Sequence, residues 1–105
     1  MANEVSIDEL ELAISQGKFV VDVREDFEFE GGHVPQAHHI PLNSIPDSIS
    51  LLPKDAEIWI ICQGGNRSMK AANYLEAQGF DAVSVAGGTR SWIEAGKEVS
   101  LEESK

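Results

Sequence analysis

The chain has 105 residues, enough for one domain, and with 42% of them hydrophobic it is too apolar to stay disordered. Its net charge of −10 argues against nucleic acid or an anionic membrane as a partner. There is no apolar run of the roughly 18–20 residues that span a bilayer, no signal-peptide pattern, and only one cysteine, so a reducing, cytoplasmic setting without internal disulfides is expected. A monomer is the expected state, though nothing in the sequence itself sets it.

In chain order, Glu4-Val5 reads as a short first strand, and Ser6-Ile7-Asp8-Glu9 has the form of a capping box. The helix it starts carries Ile7, Leu10, Ala13 and Ile14 on one face and should stop at Gly17. Phe19-Val20-Val21-Asp22-Val23, an apolar run with one carboxylate, fits a central parallel strand. Phe27 and Phe29 lie in an acidic stretch that reads as a short helix ended by Gly31-Gly32. His33 to Pro41 reads as a loop leading into a short strand limited by its prolines. Its three histidines do not make a metal site: His38 and His39 are adjacent and would face opposite sides of a strand, and nothing nearby completes a tetrahedral set. Ser44 to Leu52 suggests a proline-bounded helix, followed by a turn into the strand Glu57–Ile61.

That strand ends in the distinctive part of the chain, Cys62-Gln63-Gly64-Gly65-Asn66-Arg67-Ser68. A helix is expected from Ser68 to Gln78, with Met69, Ala72 and Leu75 on its apolar stripe. The only cysteine therefore sits at the C-terminal end of a strand and opens onto a helix N-terminus, where open α/β sheets keep their ligand sites. Helix N-termini leave backbone N–H groups unpaired and carry partial positive charge. Gly64 and Gly65 would let successive N–H groups turn inward as an anion-binding nest. A thiol there should ionise more readily than a free cysteine, with its pKa of about 8.5. Arg67 adds a permanent, forked cation. A cysteine that merely packs needs neither a flexible cradle nor a cation, so a nucleophilic thiolate is the better reading.

Downstream, Ala82 to Val85 makes another strand, and Gly87-Gly88 precedes a helix from Thr89 to Ala95 closed by Gly96. Trp92 on that helix reads as a core plug, and residues 97–105 read as a loosely packed polar tail. Strands alternating with helices imply right-handed βαβ units and a parallel sheet covered on both faces. Nine of the 18 carboxylates precede Gly31, whereas none lies between Glu57 and Glu76. The acid-free window coincides with the cysteine loop, as expected if the loop receives an anion.

Four segments together resemble the single-domain rhodanese-like sulfurtransferases, over about Ser6 to Val99. Asp22-Val23-Arg24-Glu25 is similar to the family's Asp-Val-Arg element, and Gly32-His33-Val34-Pro35-Gln36-Ala37 with Ile40-Pro41 to its Gly-His-Ile-Pro-Gly-Ala and Ile-Pro element. Cys62 to Ser68 matches the active-site loop, and Gly87-Gly88, Trp92 and Ala95-Gly96 match the C-terminal signature. The resemblance implies a single rhodanese-like domain over 1–105, a three-layer α/β/α fold around a mostly parallel sheet of about five strands. It implies a sulfurtransferase in which Cys62 takes a sulfane sulfur as a persulfide from thiosulfate or a persulfide donor and passes it to cyanide, a thiol or a protein acceptor. Cys62 would be catalytic, Gln63, Gly64, Gly65, Asn66, Arg67 and Ser68 would form the substrate-binding loop, and Asp22 and Arg24 its supporting shell, without metal or cofactor. Similar phosphatases and arsenate reductases place one more residue between Cys and Arg, a wider cradle, so sulfur is favoured over phosphate. A sulfur-carrier or interaction module and a redox-sensing thiol are the alternatives from other classes. Gln36 stands where glycine is usual and His39 where asparagine is common, and both read as neutral packing variants. Gln63 and Gly64 stand where some thiosulfate-using members carry basic residues.

Overall fold

A computed structural model describes residues 2–101. Five strands, β1 (Asn3–Val5), β2 (Phe19–Asp22), β3 (His38–His39), β4 (Glu57–Ile61) and β5 (Asp81–Val85), pair in parallel in the order β1-β5-β4-β2-β3. Among these residues α1 (Ile7–Ser15), α2 (Asp26–Glu30) and α3 (Asn66–Ala77) lie between strands, and α4 (Gly88–Glu94) follows β5. Alternation along β4 builds two cores. Ile58, Ile60 and Cys62 point to the face covered by Ala71, Ala72 and Leu75 of α3. Trp59 and Ile61 point to the other face, with Leu10 and Ala13 of α1, Phe29 of α2 and Trp92 of α4. A strand buried on both faces has no polar side to show, which is why β4 reads as a continuous apolar run. The three-layer α/β/α architecture expected from the sequence is the one observed.

Local sequence accounts for most element ends. Ser6 and Glu9 form the capping box, with the Glu9 N–H donating to Ser6 Oγ at 3.0 Å and the Ser6 N–H to Glu9 Oε1 at 2.8 Å. Three expectations need correction. Ser44 to Leu52 is not an α-helix but part of two 3-10 turns, Leu42–Ser44 and Pro46–Leu51. Pro46 has no N–H to donate to Leu42, so an α-helical ladder cannot run through it, and the bonds fall to residues three apart. Ser48 N–H accordingly donates to Ile45 O at 3.0 Å. The helix after the cysteine begins at Asn66, two residues before the expected Ser68, because Gly65 takes the left-handed conformation and ends the turn there. Gln36 is not a neutral packing variant: it is exposed, and at φ 70° it is the one non-glycine residue among those described with a left-handed backbone.

Residues 97–101, expected as the start of a loose tail, make defined contacts. Ser100 exchanges two backbone hydrogen bonds with His33, at 2.8 and 2.9 Å, and Val99 packs on the α1–α4 core. Trp92, buried as expected, donates its indole N–H to Glu98 O at 2.6 Å, and Lys97 pairs with Asp8 and Glu11. The rest of the expected tail, 102–105, lies outside the described residues. No helix among the described residues is long and apolar enough to cross a membrane.

Candidate active site

The C-terminal ends of β2, β4 and β5 converge on the Cys62 loop. Cys62 leaves β4 with its side chain buried and turns at once, and Gly65 N–H donates to its Sγ at 3.0 Å. Gly65 has φ 112°, a conformation that needs glycine, and it hands the chain to α3 without a side-chain cap. Gly64 is different. It has no positive φ and open space around it, so the cradle depends on one of the two glycines that the sequence offered. With the first intrahelical bond running from Met69 N–H to Gly65 O, the amides of Asn66, Arg67 and Ser68 have no partner within α3.

Behind the sulfur lies a chain of hydroxyls. The Cys62 thiol faces Ser68 Oγ at 3.4 Å, and Ser68 Oγ donates to Gly65 O at 3.1 Å. A hydroxyl has one proton, so the 2.7 Å contact between Ser68 and Ser84 is donated by Ser84, which is fully buried on β5. The carbonyl of Cys62 accepts two bonds, from Thr89 N–H at 2.8 Å and Thr89 Oγ1 at 3.1 Å, and Gln63 O accepts from Arg90 N–H. Those bonds require the start of α4 to touch the loop. A Cβ on Gly88 would sit 2.4 Å from Cys62 O, which explains glycine at that place in the Gly87-Gly88 pair.

Asp22 and Arg24 form a buried pair at the end of β2. Arg24 binds the carboxylate through Nε and Nη2, the latter at 2.9 Å, and also donates to Gly32 O. Its remaining amino group donates to Gln63 Oε1 at 3.1 Å, so this pair holds a loop side chain in place. His39 Nε2 lies 2.8 Å from Arg24 O, and the ring stacks on Phe29. His33 stacks on the same phenyl ring and His38 on Phe19, so each of the three histidines is held against an aromatic ring.

Arg67 does not lie free beside the thiol. Its two terminal nitrogens donate to the two oxygens of Glu28 on α2, at 2.7 and 3.0 Å. The fork holds the Glu28 carboxyl at about 2, well below its usual range, and Glu28 in turn raises the Arg67 pKa. The window empty of carboxylates in sequence is therefore not empty in space. Glu28, Ser84 and Thr89 were not singled out from the sequence. Nine carboxylates crowd the first thirty residues, and nothing in their spacing marks one as the partner of an arginine 39 positions away.

A parallel sheet between helices, with a buried thiol at the end of its middle strand and a glycine-turned helix N-terminus over it, defines a class of cysteine-loop α/β domain. The rhodanese-like domain family matches residues 6–95, and the chain belongs to that family. It is 42% identical over 84 residues to the thiosulfate sulfurtransferase GlpE of Pseudomonas putida, covering 79% of this chain and 76% of that one. A sulfurtransferase of Allochromatium vinosum is 35% identical over 99 residues, covering 91% and 92% of the two chains. A rhodanese-related protein of Thermoplasma volcanium has the same fold, with a TM-score of 0.89 at 35% identity over 95% of this chain and 99% of that one. These relatives support a sulfurtransferase role of rhodanese type.

Proposed function

We propose that the protein transfers sulfane sulfur through a persulfide on Cys62. The observation that carries the reading is the position of Sγ, 3.0 Å from the Gly65 N–H and at the mouth of α3, where unpaired amides and the helix dipole favour a sulfur anion. The Cys62 thiolate attacks the sulfane sulfur of thiosulfate or of a persulfide. One S–S bond forms as the donor's bond breaks, and the leaving sulfite or thiolate departs with the electron pair. A cyanide or thiol acceptor then attacks the outer sulfur and releases the Cys62 thiolate, so the cycle is ping-pong. Ser68, whose hydroxyl accepts from the thiol, can turn to donate once the thiol has lost its proton. Gln63, Gly64, Gly65, Asn66 and Arg67 line the loop, and Asp22 with Arg24 steadies it through Gln63. A reducing cytoplasm suits such a thiol, and a single-domain monomer suffices for the chemistry.

The four residues between Cys62 and Arg67 suit a sulfur atom rather than a phosphoryl group. Protein incubated with a sulfur donor should gain the mass of one sulfur at Cys62, lost again on adding cyanide or a thiol. Cys62→Ser should remain folded and lose transfer, and the wild type should barely turn over an aryl phosphate. Transfer retained by Cys62→Ser, or efficient Cys62-dependent phosphatase activity without a sulfur adduct, would overturn the proposal.

A further inference from the structure

The Glu28–Arg67 pair bears on which donor the loop accepts. We infer that Glu28 is a specificity-determining residue: by occupying both terminal nitrogens of Arg67 at the mouth of the Cys62 loop, it turns the site toward thiol persulfides and away from the thiosulfate dianion. The inference rests on the sulfurtransferase reading and names the donor class within it.

The argument is one of charge and geometry. A guanidinium is the side chain best fitted to grip an oxyanion, because two of its donors can meet two oxygens at once. Here that fork is already taken, since Nη1 and Nη2 of Arg67 each hold one oxygen of Glu28, at 2.7 and 3.0 Å. The pair carries no net charge. The other guanidinium that reaches the loop, on Arg24, is bound to Asp22 and spends its remaining reach on Gln63. Lys70 and Arg90, on the adjoining helices, are exposed, where water and salt screen them. What the loop itself offers an incoming donor is thus a set of neutral backbone dipoles, with the forks of Arg24 and Arg67 both already committed.

The two donor classes differ in what they ask of such a site. Thiosulfate approaches as a dianion and leaves as sulfite, so two negative charges must come up to the Cys62 thiolate, and an open guanidinium would offset them. A protonated thiol persulfide, R–S–SH, brings no charge on its reacting atoms. The Cys62 thiolate attacks the terminal sulfur, a new S–S bond forms as the donor's S–S bond breaks, R–S⁻ leaves with the electron pair, and the proton stays on the new Cys62–S–SH. Only one negative charge passes through the loop, and the helix amides suffice for it. Glu28 is well placed to impose this choice because α2 is anchored by buried Phe29 beside it, which holds the carboxylate where it meets α3.

The test compares kcat/KM for thiosulfate with kcat/KM for cysteine persulfide in the intact protein, its Glu28→Gln and Glu28→Asp variants, at low and high salt. The wild type should favour cysteine persulfide. Glu28→Gln should raise the thiosulfate-to-persulfide ratio about tenfold at low salt, the effect of one unopposed charge, and the gain should shrink as salt rises. Glu28→Asp, which keeps the charge, should stay close to the wild-type ratio, whereas a role confined to holding α2 against α3 would make both variants lose the two activities in parallel. A wild type that prefers thiosulfate, or a ratio that Glu28→Gln leaves unmoved or lowers, overturns the inference while leaving the Cys62 persulfide standing. Absence of a sulfur adduct on Cys62 with either donor removes the sulfurtransferase reading, and this inference with it.

Discussion

Two arginine–carboxylate pairs flank the Cys62 loop, and they are built in opposite ways. Asp22 and Arg24 stand two residues apart at the end of one strand, are almost wholly removed from water, and share four side-chain and backbone hydrogen bonds. Glu28 and Arg67 come from separate helices, keep about a fifth and a third of their side chains exposed, and touch only through the fork. The first pair is a fixture, because a charge left alone in that setting has neither water nor a counter-charge. The second is adjustable, since water can replace either member at modest cost. The same chemistry thus serves as a structural pin on one side of the loop and as a charge setting on the other.

The strongest way to break the comparison is to remove the buried carboxylate. Asp22→Ala should cost about 3–5 kcal/mol, as Arg24 would be left charged and unpaired in the interior. Urea titration would measure it, and a loss below about 1 kcal/mol would mean that water reaches Arg24 and that the two pairs are alike.

Removing the exposed partner should cost less and should depend on pH. The Glu28 carboxyl is held at about 2, below its ordinary 4.5, so its contribution is present in full above about 4.5 and is lost as pH falls through the folded value. Full linkage would give about 3 kcal/mol, and solvent screening of a part-exposed pair cuts that to about 1–2 kcal/mol. Glu28→Gln should therefore be less stable than wild type by that amount at pH 7, with the difference closing between pH 4.5 and 2. High salt should shrink it too, while the Asp22→Ala penalty stays nearly the same.

The smallest expected effect supplies a control without charge. Gln36→Gly removes a left-handed strain of about 1–2 kcal/mol but adds backbone freedom to the unfolded chain, for a net gain of about 0.5–1 kcal/mol. Thermal melts should show that gain equally at pH 7 and pH 4 and at any salt. A gain that followed pH would point to an electrostatic contact of Gln36 instead.

The two pairs also show where reading the sequence succeeds. The alternation of strands and helices, the Ser6–Glu9 capping box and the apolar run of β4 are local patterns, and each was legible because neighbouring residues carry the whole signal. The Cys62 loop was legible for the same reason: thiol, glycine turn and helix start are consecutive. Where the signal was local but ambiguous, the reading slipped. Two glycines in a row did not say which one bends the chain, and Pro46 did not say whether its segment would stay α-helical.

The sequence by itself determined a cysteine at the end of a buried strand, the helix it faces and the parallel sheet that carries both, because hydrophobic period and turn chemistry act over a few residues. Only the tertiary structure decided what surrounds the sulfur. Ser84 reaches Ser68 across two elements, Thr89 binds the Cys62 carbonyl from 27 residues away, and Glu28 closes on Arg67 from 39 away. Such contacts are set by which helix ends the sheet brings together, and a carboxylate's position in the chain says nothing about which cation it will meet. The charge at the mouth of the site is therefore a property of the fold.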